Sequence, residues 1–187
     1  MKILGNEIKP GMIIEHNDDL WSVLKTKHVK PGKGGAFNQV ELKSMKKGTK
    51  LNERFRSSDT VERVVLDDKK FSFLYKDETN CHFMDKTSFE QIQINKSLLG
   101  EKSKLLKENM EVSVQFYDEQ ALSVDLPSSV ELKIETTEAA IKGQIASSSY
   151  KPASLENGIK IMVPPFINID DKIILDTRTL EYVKKVK

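Results

Sequence analysis

The residues best able to do chemistry lie in one short stretch, Lys25-Thr26-Lys27-His28-Val29-Lys30-Pro31-Gly32-Lys33-Gly34-Gly35-Ala36-Phe37. No acidic residue stands between Asp19 and Glu41, so Lys25, Lys27, Lys30 and Lys33 form a cationic arm with no counter-ion nearby in sequence. Lys33 sits between Gly32 and Gly34, with nothing bulky to cover its amine. Pro31 and Gly32 read as a turn, and Gly34 and Gly35 as positions open to backbone angles closed to other residues. A thin basic tip can enter a narrow polyanionic crevice that a globular surface cannot. A solvated hairpin turn accounts for the same residues with no ligand. A nucleotide-hydrolysing P-loop does not, because Lys33 is followed by Gly34-Gly35-Ala36 and no hydroxyl is available for magnesium. The segment after it alternates like a strand, so no helix N-terminus would face a phosphate.

Other chemistries find no constellation. His16, His28 and His82 share no ligand spacing, and Cys81 is the only cysteine, so no metal site is expected. Cys81 reads as a small buried residue and no intrachain disulfide can form. No Gly-x-Ser-x-Gly elbow is present, and the carboxylates are scattered. The chain therefore does not read as an enzyme. Tyr150 beside Lys151, after Ser147-Ser148-Ser149, is a second candidate for RNA contact, since an aromatic ring can stack on a base while an amine pairs with phosphate. An ordinary polar loop explains that pair equally well.

The elements that must carry these residues are short strands. Val40 and Leu42, Val112, Val114 and Phe116, Leu122, Val124 and Leu126, Val130, Leu132 and Ile134, and Ile159, Ile161 and Val163 alternate with polar neighbours. Turn signals separate these runs at Lys9-Pro10-Gly11, Asn17-Asp18-Asp19, Lys30-Pro31-Gly32, Asp67-Asp68, Asp118-Glu119-Gln120, Glu156-Asn157-Gly158 and Asp170-Asp171. The stretch from Lys151 to Gly158 reads as loop and turn, followed by a strand that Pro164-Pro165 ends. One segment has helical spacing, from Asn95 to Lys107, with Asn95 as its N-cap and Gly100 interrupting it.

Of 187 residues, 38% are hydrophobic and 31% charged, enough apolar material for a core and too much for disorder along the whole length. No apolar run reaches the ~18 residues of a membrane helix, and the first residues lack a signal peptide's apolar centre, so a cytoplasmic protein without a membrane partner is expected. Net charge is only +2, but it is polarised. Residues 1–63 hold 13 Lys/Arg against 8 Asp/Glu, residues 64–128 hold 8 against 12, and residues 129–187 hold 9 against 8. The basic first third suits a polyanion and the acidic middle does not. The expected architecture is all-β: three small β-barrel domains at 1–64, 65–127 and 128–187, arranged as an elongated molecule.

The tip Lys30-Pro31-Gly32-Lys33-Gly34-Gly35-Ala36-Phe37 resembles the modified-lysine loop of bacterial translation elongation factor P. Phe83-Met84-Asp85 with Phe89-Glu90-Gln91, and Glu111-Val112-Ser113-Val114 with Leu126-Pro127, are similar to that family's middle region. Its last-domain signature, Lys-x-Ala-x4-Gly-x2-aliphatic-x-Val-Pro-x2-aliphatic-x2-Gly, is met by Lys151, Ala153, Gly158, Ile161, Val163, Pro164 and Ile167. Asp176-Thr177-Arg178-Thr179 with Glu181-Tyr182 extends the likeness to the end of the chain. Two departures stand out. Gly143-Gln144 and Ser147-Ser148-Ser149-Tyr150 replace a Gly-Asp and a Gly-Gly pair in the loop linked to the exit-site codon. Asp170 replaces the signature's final glycine.

The resemblance implies an SH3-like (KOW-like) barrel followed by two OB-fold barrels. It implies a monomeric factor that binds the ribosome between peptidyl and exit sites, positions peptidyl-tRNA and stimulates peptide-bond formation at consecutive prolines. Lys33 would contact the CCA end, extended by a β-lysyl group that a lysine-modifying enzyme attaches, with no other cofactor. Lys25, Lys27, Lys30, Pro31, Gly32, Gly34 and Gly35 would contact tRNA or ribosomal RNA around it. Two alternatives are a generic OB-fold RNA-binding protein and an elongation-factor-P-like paralogue. The first fits poorly with an acidic centre, and a lysine at the tip argues against the second.

Overall fold

The computed structural model of the chain describes residues 1–139 and 149–187. Among the described residues sixteen strands fall into three sheets. The first holds β1 (Lys2–Leu4), β2 (Ile13–His16), β3 (Asp19–Val29), β4 (Phe37–Ser44), β5 (Lys50–Arg56) and β6 (Thr60–Val64), in the order β1-β6-β2-β3-β4-β5. The second holds β7 (Asp67–Lys76), β8 (Asn80–Asp85), β9 (Gln91–Asn95), β10 (Glu111–Tyr117) and β11 (Gln120–Asp125), in the order β11-β10-β7-β8-β9. The third holds β12 (Ser129–Thr137), β13 (Lys151–Leu155), β14 (Lys160–Val163), β15 (Lys172–Asp176) and β16 (Tyr182–Lys185), in the order β14-β13-β12-β15-β16. The chain is all-β, as its alternation implies.

These residues form two compact units, Met1–Asp68 with Gln115–Ser123, and Lys69–Val114 with Val124–Lys187. In the first, Ile3, Ile8, Ile14, Val23, Val40, Leu42, Phe55 and Val61 make the core. A second cluster joins Leu20 and Val64 to Leu122, with Ile13, Met45, Leu66 and Tyr117 around it. The tip of the β10–β11 hairpin thus supplies apolar surface to the unit that holds the N-terminal sheet. Its turn, Asp118-Glu119, and the β2–β3 turn, Asn17-Asp18, both have positive φ at the two central residues, the conformation that matches strand twist in tight hairpins.

In the second unit the inward positions are Phe71, Phe73, Cys81, Phe83, Val112 and Val114 of the middle sheet, all buried. The Phe73 and Phe83 rings meet edge to face at 5.6 Å. The last sheet buries Val130, Leu132, Ile134, Leu155, Ile161, Val163, Ile173 and Leu175 together with Leu105. Leu105 comes from the predicted helical segment. There Asn95 caps α1 (Lys96–Leu99) by accepting from the Ser97 amide at 2.9 Å, and Gly100 at φ +57 breaks it into a 3-10 turn, Gly100–Leu105. Lys107 then donates to the Glu131 carbonyl and to Glu156 Oε1, and Asn157 Nδ2 to the Lys104 carbonyl, which ties this segment to the last sheet.

Two sequence readings are corrected. Asp67-Asp68 opens β7 instead of forming a turn, because backbone pairing takes precedence over the low strand propensity of Asp. Lys151–Leu155 is a strand, not a loop. Ala153 and Leu155 point inward, and Pro152 pairs with Met162 at a place where its missing N–H is tolerated while its carbonyl accepts from Thr137 Oγ1 at 3.0 Å.

Asp170 adopts φ +70, the left-handed region that glycine favours, and its carboxylate meets Lys133 Nζ at 2.7 Å. Glycine would relieve backbone crowding worth about 1 kcal/mol but lose a solvent-screened ion pair. Asp170→Gly is therefore expected to leave unfolding free energy within about 1 kcal/mol of the parent in a urea titration. A larger loss would mean that the Lys133 pair outweighs the strain.

Several carboxylates hold turns together. Asp85 accepts from the Thr87 and Ser88 amides, Asp176 from those of Arg178 and Thr179, and Asp171 from Lys185 Nζ and the Asn168 amide. Those bonds hold all three carboxyls below the usual carboxylate range. Burial pushes Glu156 up, but the Lys133 amide and the Lys107 ammonium more than reverse it. Folded-state values below the unfolded ~4 mean that their stabilisation is complete above that pH and fades as pH falls through the folded values. The thermal midpoint should stay flat from about pH 8 to 5 and drop below about pH 4. A midpoint that rises on acidification to pH 3 would rule out this role for the turn carboxylates.

Candidate nucleic-acid interface

The lysine arm is built by β3 and β4, whose register runs from Trp21 opposite Ser44 to Val29 opposite Phe37. Val23 pairs with Leu42, but Lys25, not Leu24, pairs with Glu41. Leu24 is an extra residue, and this bulge reverses the in–out parity of the strand. Without it Lys25 and Lys27 would share a face with buried Val23. With it they stand on the outer face, opposite Glu41 and Gln39. The β4–β5 register carries that face onward: Gln39 is opposite Arg54 and Phe37 opposite Arg56. Lys27, Gln39 and Arg54 form one row across three strands, and Val29, Phe37 and Arg56 the next, nearer the loop. Arg54 lies over the Phe37 ring, 3.4 Å from its centroid.

Residues 30–35 project beyond the last strand pair, and Lys30, Pro31, Gly32, Lys33, Gly34 and Gly35 are all exposed. Gly34 has φ +124, which a side chain would strain. Gly32 and Gly35 do not have positive φ, so Gly35 contributes slimness and not the special backbone angle expected of it. A Cβ at either would meet nothing within 4 Å. Among the described residues, Lys25, Lys27, Lys30 and Lys33 make no side-chain hydrogen bond or ion pair. Glu41, which faces Lys25 across the strands, gives its carboxylate to Lys50 at 3.1 Å instead. The Lys33 amine is thus presented to solvent with no carboxylate capping it.

Tyr150 and Lys151 belong to the other unit. Tyr150 is exposed, whereas Lys151 Nζ donates to the Glu138 carbonyl at 2.6 Å, so the ammonium is engaged within the chain. The departures at Gly143-Gln144 and Ser147-Ser148 lie outside the described residues. Arg54 and Arg56 were not legible as site residues. The alternation Arg54-Phe55-Arg56 shows a strand with two outward cations, but only the pairing with β4 puts them beside Lys27. Among the described residues no group of three His, Cys, Asp or Glu side chains could hold a metal ion, and no helix is long and apolar enough to cross a membrane.

Comparison with known proteins accounts for nearly the whole chain. Residues 4–61 match the elongation factor P (EF-P) KOW-like domain, 66–124 the elongation factor P (EF-P) OB domain and 130–185 the elongation factor P, C-terminal family. The chain belongs to the elongation factor P family. Membership makes it a translation elongation factor. An elongation factor P of Pelagibacter ubique is 61% identical over 186 residues, covering all of both chains. That of Roseobacter denitrificans is 53% identical over 98% of each. The structure titled eukaryotic translation initiation factor 5A from Methanococcus jannaschii matches with a TM-score of 0.56, over 68% of this chain and 92% of its own. At 19% identity that likeness concerns the fold alone. Together these findings bear out the expected order of a KOW-like domain followed by an OB domain.

Proposed function

We propose that the chain binds the ribosome between the peptidyl and exit sites and speeds peptide-bond formation at consecutive prolines by positioning peptidyl-tRNA. The single observation that carries this reading is an exposed, unpaired Lys33 amine at the tip of a glycine-flanked loop. Lys33 reaches the CCA end, and a lysine-modifying enzyme lengthens it, in our reading with a β-lysyl group. Lys25, Lys27 and Lys30, joined by Arg54 and Arg56, neutralise nearby phosphates. Proline is a secondary amine with a locked φ, so stacked prolines hold the reacting ends badly. Restoring near-attack geometry is worth up to about 7–11 kcal/mol and needs no acid, base or metal from the factor.

In reconstituted translation, the factor should shorten the pause on a Pro-Pro-Pro template and leave a proline-free template unaffected. No difference between templates would sink the proposal. Intact mass and peptide mapping of protein from its native cell read the modification directly; an unmodified Lys33 would remove the β-lysyl element. The phosphate contacts have their own check. Lys27→Glu should weaken ribosome binding most at low salt, with a shallower dependence of binding on log salt concentration. An unchanged salt slope would rule out the phosphate role of Lys27.

A further inference from the structure

Residues 30–35 make no hydrogen bond outside strand pairing among the described residues, so the loop takes its direction from its two stems. The stems are held unequally. The leaving stem ends at Ala36, whose carbonyl accepts twice from Ser57: from the amide at 3.0 Å and from the hydroxyl at 2.9 Å. Ser57 opens the turn that follows β5, and Asp59 closes that turn. Asp59 Oδ2 accepts from the Arg56 amide at 2.7 Å, and the Asp59 amide donates to the Arg56 carbonyl at 3.0 Å. The Asp59 carbonyl in turn accepts from the Gly5 amide at 2.7 Å. Gly5 completes the path, because its carbonyl accepts from Asn38 Nδ2 at 3.0 Å, and Asn38 is fully buried two residues beyond Ala36. Hydrogen bonds and the chain itself close a ring: Ala36 to Ser57, along the chain to Arg56, then Asp59, Gly5, Asn38 and back along β4 to Ala36. The entering stem has no counterpart. After Val29 pairs with Phe37, no hydrogen bond among the described residues holds Lys30 or Pro31.

We infer that Ser57 and Asp59 are positioning residues for the Lys33 loop: the ring they close fixes the direction in which the tip leaves the sheet. This inference rests on the positioning role proposed above for Lys33. A clamp on one stem with a free partner leaves a finger that can flex at its entering side yet keeps its aim. The ring also fixes Arg56, so the cation nearest the loop and the loop itself move as one piece. Ser57→Ala removes the hydroxyl bond and keeps the amide bond, a small and local change.

The test has two arms. In the first, amide relaxation by nuclear magnetic resonance follows Gly34 and Gly35, which should become more mobile in Ser57→Ala than in the parent or in Ser57→Thr, which retains the hydroxyl. In the second, relief of the Pro-Pro-Pro pause is measured against factor concentration. The maximal stimulation should fall roughly tenfold for Ser57→Ala, as expected when reacting ends are misplaced. The half-saturating concentration should stay put and Ser57→Thr should restore the maximum. Unchanged Gly34 and Gly35 mobility overturns the inference, as does a raised half-saturating concentration with the maximum intact. If Ser57→Ala does not fold, Asp59→Ala decides by the same two readouts. A Lys33→Ala factor as active as the parent would fell the functional reading instead, and the mobility arm would still judge the clamp.

Discussion

Lys33→Ala is expected to abolish relief of the triproline pause and to leave the fold untouched. The side chain is exposed and makes no bond within the described residues, so its removal should change stability by no more than about 0.5 kcal/mol. For a unit of this size that is a shift in thermal midpoint of about 2–4 °C. Loss of activity beside an unchanged midpoint is the pattern of a group that acts only in the complex. Lys33→Arg sharpens the test, because guanidinium keeps the charge but is not an amine that a lysine-modifying enzyme can extend. If charge alone served, Lys33→Arg would retain most of the activity. The proposal expects it to behave like Lys33→Ala. Full activity in Lys33→Ala would refute the role of the tip.

The largest effect on stability is expected at Gly5. An added Cβ would stand 2.3 Å from the Arg56 carbonyl oxygen and 3.1 Å from Phe55 Cβ. The first contact is to backbone, which cannot swing aside as a side-chain end could. Gly5 is also buried and bonded on both sides, its amide to Asp59 and its carbonyl to Asn38. Relief must therefore push the 3-10 turn Gly5–Glu7 away from β5 and stretch those bonds. Overpacking of this kind costs about 2–3 kcal/mol. Gly5→Ala should lower the midpoint of the first unit by about 8–24 °C, read by calorimetry or by Trp21 fluorescence. A loss below about 1 kcal/mol would mean that the segment shifts freely, and it would weaken the case for a rigid ring beneath the loop.

Much of the architecture was legible in the chain because alternation, turn residues and the Asn95 cap act locally. Val130, Leu132 and Ile134 could hardly face anywhere but a core, and Asn17-Asp18 could hardly be other than a tight turn. What escaped was non-local. Leu24 looks like one more apolar residue of its strand, and only the register against β4 reveals it as the bulge that turns Lys25 and Lys27 outward. Arg54 and Arg56 become site residues through a neighbouring strand. Ser57 and Asp59 look like an ordinary turn until Ala36 and Gly5 are seen to depend on them. Lys151–Leu155 was hidden by Pro152, whose usual meaning in a strand is interruption. Lys33 was legible for the opposite reason: its isolation among glycines is a property of the sequence itself.

The cluster of Leu20, Val64 and Leu122 has a consequence for how the molecule is made. A ribosome releases the chain from its N-terminus, and Asp68 emerges roughly 55 residues before Ser123. At 5–20 residues per second the nascent first sheet waits about 3–11 s with Leu20 and Val64 bare of their Leu122 cover. During that interval this apolar surface stands open to water and to neighbouring chains, and a cut after Asp68 would make the interval permanent.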